Sequence, residues 1–114
     1  MSDWLRVCAT SDLAVDRGAA AVVDGAQVAL FLLSDGTLHA VSHRDPFSGA
    51  NVMARGLVGS RDGVPTVASP MHKQTFDLRT GVCLDDPHAT LDVWPARVSD
   101  GWVEVRAGRQ EGTA

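Results

Sequence analysis

An all-β fold, a small antiparallel sandwich or barrel, is predicted by three observations. Short apolar or alternating runs recur along the 114 residues. Each run ends in turn chemistry of the kind that joins antiparallel strands, and no helical periodicity persists over about ten residues. Taken in order, residues 4–8 read as a first strand. Ser11-Asp12-Leu13 then offers a hydroxyl or carboxylate to cap one short turn. Residues 19–23 and 27–33 form the next two strands, joined by Asp24-Gly25, and Ser34-Asp35-Gly36 turns the chain into 37–42. After a long loop with a possible short strand at 56–58, Asp62-Gly63 leads to 66–69. The turn at Thr80-Gly81 follows a strand at 75–78, and Asp100-Gly101 joins 93–98 to 102–106. Within 37–41 the alternation puts Leu38 and Ala40 on one face and Thr37, His39 and Val41 on the other. His39 is therefore expected to face solvent. The polar, unpatterned residues 108–114 are expected to fray.

Length and composition predict one compact domain spanning residues 1–114. Apolar residues make up 45% and charged residues 21%, which is far from the signature of disorder. A formal charge of −4 and an isoelectric point near 5.4, with no run of Lys and Arg, exclude a general nucleic-acid surface. No apolar stretch approaches the roughly eighteen residues of a membrane helix, and the first residues lack the pattern of a signal peptide. A cytoplasmic protein is expected. Cys8 and Cys83 lie far apart with no Cys-x-x-Cys pair, so they read as small apolar residues rather than as a zinc knuckle or a redox dithiol.

The stretch from 42 to 65 is the longest without convincing strand pattern, and long loops in compact domains tend to carry function. Its chemistry is sparse. His43, Asp45 and His72 could supply three metal ligands if two loops converged, but a structural zinc needs four and Arg44 would bring a cation close. Satisfied loop polar groups are the plainer reading. Ser69 followed by Pro70 lacks a nucleophile elbow. Gly49, Gly56, Gly59 and Gly63 match no phosphate loop. No residue is nominated as catalytic.

Two strings carry more information. Asp45-Pro46-Phe47 and Ser69-Pro70-Met71-His72-Lys73-Gln74-Thr75-Phe76-Asp77 resemble the two ligand loops of Rieske iron–sulfur domains, and the strings extend through Ser48-Gly49-Ala50, Arg55-Gly56-Leu57-Val58-Gly59 and Leu78-Arg79-Thr80-Gly81-Val82-Cys83-Leu84-Asp85. Together with Val28-Ala29-Leu30-Phe31 and Val93-Trp94-Pro95-Ala96-Arg97-Val98, they resemble the small subunits of bacterial NAD(P)H-dependent assimilatory nitrite reductases over nearly the whole chain. The resemblance implies a Rieske-like antiparallel sandwich or barrel with a small subdomain built from the loop pair. It also implies a partner, the large nitrite reductase subunit, which in that family carries FAD, a [4Fe–4S] cluster and sirohaem and reduces nitrite to ammonia.

A Rieske centre uses two thiolates and two imidazoles. Here those positions hold Asp45, Phe47, Ser69 and His72. Phenylalanine has no donor atom, a serine hydroxyl does not ionise in the normal range, and aspartate is a hard oxygen ligand. The chain is thus expected to bind no cluster or other metal of its own. Asp45 and Ser69 are instead expected to accept hydrogen bonds from loop backbone, and the Phe47 ring to fill space left by an imidazole and metal. His43, Arg44, Arg55 and Lys73 add a cationic group near the loop tips, a candidate docking surface for an acidic patch on the large subunit. The alternative functions are a Rieske-type [2Fe–2S] electron-transfer ferredoxin or a general protein-interaction module.

Overall fold

The computed structural model describes residues 4–71 and 73–106. His72 and the tail at 108–114 lie outside them. Ten strands and two single 3-10 turns make up the described regular structure. They are β1 (Trp4–Ala9), β2 (Gly18–Val23), β3 (Ala26–Leu32), β4 (Leu38–Ser42), β5 (Leu57–Arg61), β6 (Val64–Ala68), β7 (Thr75–Asp77), β8 (Val93–Trp94), β9 (Ala96–Ser99) and β10 (Trp102–Arg106), with turns at Thr10–Asp12 and Met53–Arg55. The strands form three antiparallel sheets in the orders β1-β10-β9, β2-β3-β4-β8 and β5-β6-β7.

The turn chemistry explains the hairpins. At Asp24-Gly25, Asp62-Gly63 and Asp100-Gly101 both residues have positive φ, near 50° for each Asp and near 80° for each Gly. That is the type I′ geometry whose twist matches paired strands. The Asp12 carboxylate accepts a hydrogen bond from the Ala9 N–H at 3.1 Å, closing the short turn expected there.

The central sheet is covered on both faces. Val28 and Leu30 of β3 join Ala40, Trp94, Val103 and Val105 in one core between the central sheet and the β1-β10-β9 sheet. Ala29 and Phe31 point the other way, into a second core with Val41, Met53, Val67, Phe76, Leu78 and Leu91. The unbroken apolar run in β3 therefore marks a strand buried twice over, the pattern of a strand with no solvated side.

This double burial corrects the reading of β4. Val41 and His39 do share a face, but that face looks into the second core: Val41 is fully buried, and His39 is half-buried with Nε2 3.0 Å from Thr37 Oγ1. Desolvation lowers the His39 pKa below its ordinary value of 6.5. Alternation had indicated which residues sit together, not what covers them.

The expected strand at 93–98 divides at Pro95. Before it, Trp94 and Val93 pair with Ala40 and Val41 in the central sheet; after it, Ala96 to Ser99 pair with β10 in the other. Proline has no N–H for a ladder and a fixed φ, so it serves as the corner where the chain changes sheets. The possible strand at 56–58 is real and longer, and it pairs with β6 to build the third sheet, which carries the loop pair.

Candidate functional site

The two loops run from the end of β4 through Met53–Arg55 and from β6 to β7. Their backbones follow one scheme. Asp45 N–H donates to Ala50 O at 2.8 Å, and Gly49 N–H returns to Asp45 O at 2.8 Å; Ser69 N–H donates to Gln74 O at 2.9 Å, and Lys73 N–H returns to Ser69 O at 2.9 Å. In each loop the residue after the anchor is proline, Pro46 and Pro70, and the fourth after it has positive φ, 76° at Gly49 and 63° at Lys73. The loops are thus a structural repeat, anchored at Asp45 and Ser69.

The anchors meet. Ser69 Oγ donates to Asp45 Oδ2 at 2.6 Å, Phe47 N–H donates to Asp45 Oδ1 at 2.9 Å, and Met71 N–H donates to Ser69 Oγ at 3.2 Å. Asp45 is fully buried and Ser69 is 1% exposed. Burial pushes the Asp45 carboxyl pKa up, but donation from Ser69, Phe47 and Ser48 outweighs it and holds the group below its usual 3.8. A buried carboxylate with these partners is a structural clasp, and nothing about it suggests a proton-transfer role.

Phe47 is part buried and part exposed. Its ring tilts against the core residue Phe76, with centroids 6.2 Å apart and planes at 52°, while 39% of the residue stays exposed. Met71, at the matching position of the second loop, is 51% exposed. Met71 was not singled out from sequence, although the repeated proline one residue after each anchor was there to be seen.

The cationic group does not assemble as expected. His43 is 8% exposed, and its Nδ1 accepts the Ala54 N–H at 3.1 Å, pinning the Met53–Arg55 turn. Burial, with Arg55 nearby, lowers its pKa below 6.5 and disfavours its charged form. Arg44 lines a depression of about 390 Å³ with Asp24 and Asp92, whereas Arg55 lines a different one of about 430 Å³ with Asp16 and Arg17. Only Lys73 sits on the second loop, and it is exposed. The three exposed cations stand as separate charges, two of them lining depressions that also hold acidic side chains.

Two outcomes follow from these contacts. Because the folded His43 pKa lies below the unfolded value, the unfolded chain binds the extra proton; the histidine's contribution to stability is whole above about pH 6.5 and declines as pH falls through the folded pKa. Denaturant midpoints from pH 8 to 5 should drop more steeply in the wild type than in His43→Leu, and parallel curves would reject this role. Lys73 stands at the left-handed position that glycine fills in the other loop. Lys73→Gly should be neutral or more stable by up to about 1 kcal/mol, despite its added freedom when unfolded.

The fold and the paired loops define the Rieske-like class: a family model described as a Rieske-like [2Fe-2S] domain matches residues 3–106. The nitrite reductase (NADH) small subunit of Salmonella typhimurium is 38% identical over 107 residues, which cover 93% of this chain and 99% of that one. The NMR structure of the Escherichia coli protein NirD superposes with a TM-score of 0.86 at 37% identity, covering 95% of this chain and 99% of that one. A segment of the Klebsiella oxytoca nitrite reductase [NAD(P)H] large subunit is also 35% identical, matching 90% of this chain and 11% of that much longer one. The chain belongs to the Rieske-like family of nitrite reductase small subunits.

The donor set does not fit the cluster for which the wider class is named. Two of the four ligand positions hold oxygen groups already hydrogen-bonded to each other, and a third holds a hydrocarbon ring. Neither hard carboxylate nor neutral hydroxyl matches the thiolate preference of iron–sulfur centres. Among the described residues no group of three or more His, Cys, Asp and Glu side chains is arranged to hold another metal, and no helix is long and apolar enough to cross a membrane.

Proposed function

We propose that this chain is the non-catalytic small subunit of a cytoplasmic, assimilatory NAD(P)H-dependent nitrite reductase, bound to a large subunit that carries FAD, a [4Fe–4S] cluster and sirohaem and reduces nitrite to ammonia. Family membership supports the partner, and the Klebsiella oxytoca protein, which holds a related segment within a large-subunit polypeptide, supports a lasting association. The observation that carries the non-catalytic part is the Ser69–Asp45 hydrogen bond, which occupies the place of a redox centre with a closed, buried clasp. The loop pair keeps the frame of an electron carrier and uses it as a shape. Arg44, Arg55 and Lys73 around that frame would steer encounter and fix register against acidic groups of the large subunit.

The test is reconstitution. Nitrite reduction by the purified large subunit should rise when this chain is added, and the added chain should contain no stoichiometric iron or sulfide and show no visible absorption. An iron-loaded, coloured protein would make it a ferredoxin instead. Charge reversal at Arg55 and Lys73 should slow association chiefly at low salt.

A further inference from the structure

The loop repeat has a second product besides the clasp. Two residues beyond each anchor it holds a large apolar side chain at the surface, Phe47 on one loop and Met71 on the other, 39% and 51% exposed. Their backbone N–H groups are fastened to the side chains of the very residues that fasten the loops together. Single exposed apolar residues are ordinary, and Leu57, Val22 and Val15 are more exposed than either of these; what sets this pair apart is its fixed and matched placement. Here two apolar groups are fixed in equivalent positions on a buried hydrogen-bonded frame, and Phe47 is further braced by Phe76. A preorganised aromatic and an adaptable thioether are what the centre of a protein interface uses.

We propose that Phe47 and Met71 are the paired apolar anchors by which this subunit docks on the large subunit of its nitrite reductase. The inference rests on the partner named above and adds the surface. That partner is the occupant because a 35% identical segment occurs within a large-subunit polypeptide, where the two are never apart. Permanent interfaces are more apolar than the charge-guided faces of transient carriers. Exposed Arg44 and Arg55 line depressions that include neither Phe47 nor Met71, so that charge is set apart from the apolar pair.

Binding of the purified large subunit is measured with the wild-type chain, the Phe47→Ser/Met71→Ser double variant, Met71→Glu alone, and Val98→Ser, which alters an exposed residue of β9. Circular dichroism establishes that each variant is folded; Met71→Glu, which removes no core contact, carries the test if the double variant is not. Loss of affinity by about tenfold or more in the loop variants, with Val98→Ser unchanged, is the expected result. Wild-type affinity in the loop variants overturns the docking surface while leaving the partner intact, and loss in Val98→Ser alone moves the interface to the β1-β10-β9 sheet and does the same. Failure of the wild type to bind overturns the partner itself. A wild-type homodimer that the loop variants dissolve, with large-subunit binding unaffected, assigns the pair to self-association and also overturns the proposal.

Discussion

Gly81→Ala should destabilise the protein by about 3 to 5 kcal/mol, because two separate faults meet at one methyl group. Gly81 has φ +81°, where an L side chain is strained, and its N–H and C=O are both committed, the first to Asp77 O and the second to Leu91 N–H, each at 2.7 Å. A Cβ there would land on the Leu91 carbonyl oxygen and stand 3.2 Å from Val93 Cγ1. Neither neighbour can yield cheaply: Leu91 is a core residue, and Val93 is paired with β4. Gly25 is the control, since it has nearly the same φ but open space around its missing Cβ. Gly25→Ala should cost only about 1 kcal/mol, the strain alone. Unfolding free energies from urea titration that differ by less than about 1 kcal/mol between the two variants would show that the close approach carries no weight.

Asp45→Ala should cost about 2 to 4 kcal/mol, since it strands the buried Ser69 hydroxyl and leaves the Phe47 N–H without its acceptor. Asp45→Asn should recover part of this. The amide oxygen can keep the Phe47 N–H and the NH₂ can donate to the Ser69 oxygen, so the hydroxyl proton alone loses its acceptor. The pH dependence gives an independent check. The folded Asp45 pKa is depressed below 3.8, so its contribution is complete above the unfolded value and is lost as pH falls through the folded one. Below about pH 4 the wild type should therefore lose stability faster than Asp45→Ala, until the two curves approach each other. Equal stabilities at pH 7 would mean that the loops are held by their backbone bonds alone. Ser69→Ala should cost less, because the carboxylate keeps its other donors.

Much of this architecture was legible in the sequence, and the parts that were not share a cause. The three Asp-Gly pairs specify their turns through local φ preferences, so the hairpins they close were readable without knowledge of the rest of the chain. The unbroken apolar run of β3 already contained the two-sided burial. The burial of His39 and of His43 is not readable locally, because it depends on what folds over a strand from elsewhere: Asp77, Leu78 and Arg79 lie beside the one, and the Met53–Arg55 turn bonds the other. The cationic group looked continuous because its members are near in sequence, yet Arg44 and Arg55 leave opposite ends of a loop whose backbone bridges Arg44 to Asn51, and they reach different depressions. The Asp45–Ser69 contact spans 24 residues. Substitution of the ligand positions indicates that both side chains take up loop backbone N–H groups, while their bond to each other and the matched bonding of the two loops are visible only in three dimensions.

β3 supplies alternate side chains to both hydrophobic layers, so neither layer can melt and leave the other a complete wall. Heat or denaturant should then dissolve the molecule in a single calorimetric event, and the β3 amides should be the last to trade protons for deuterons. Wear at the loop tips, by contrast, should register throughout the molecule as a lowered melting temperature rather than as local fraying.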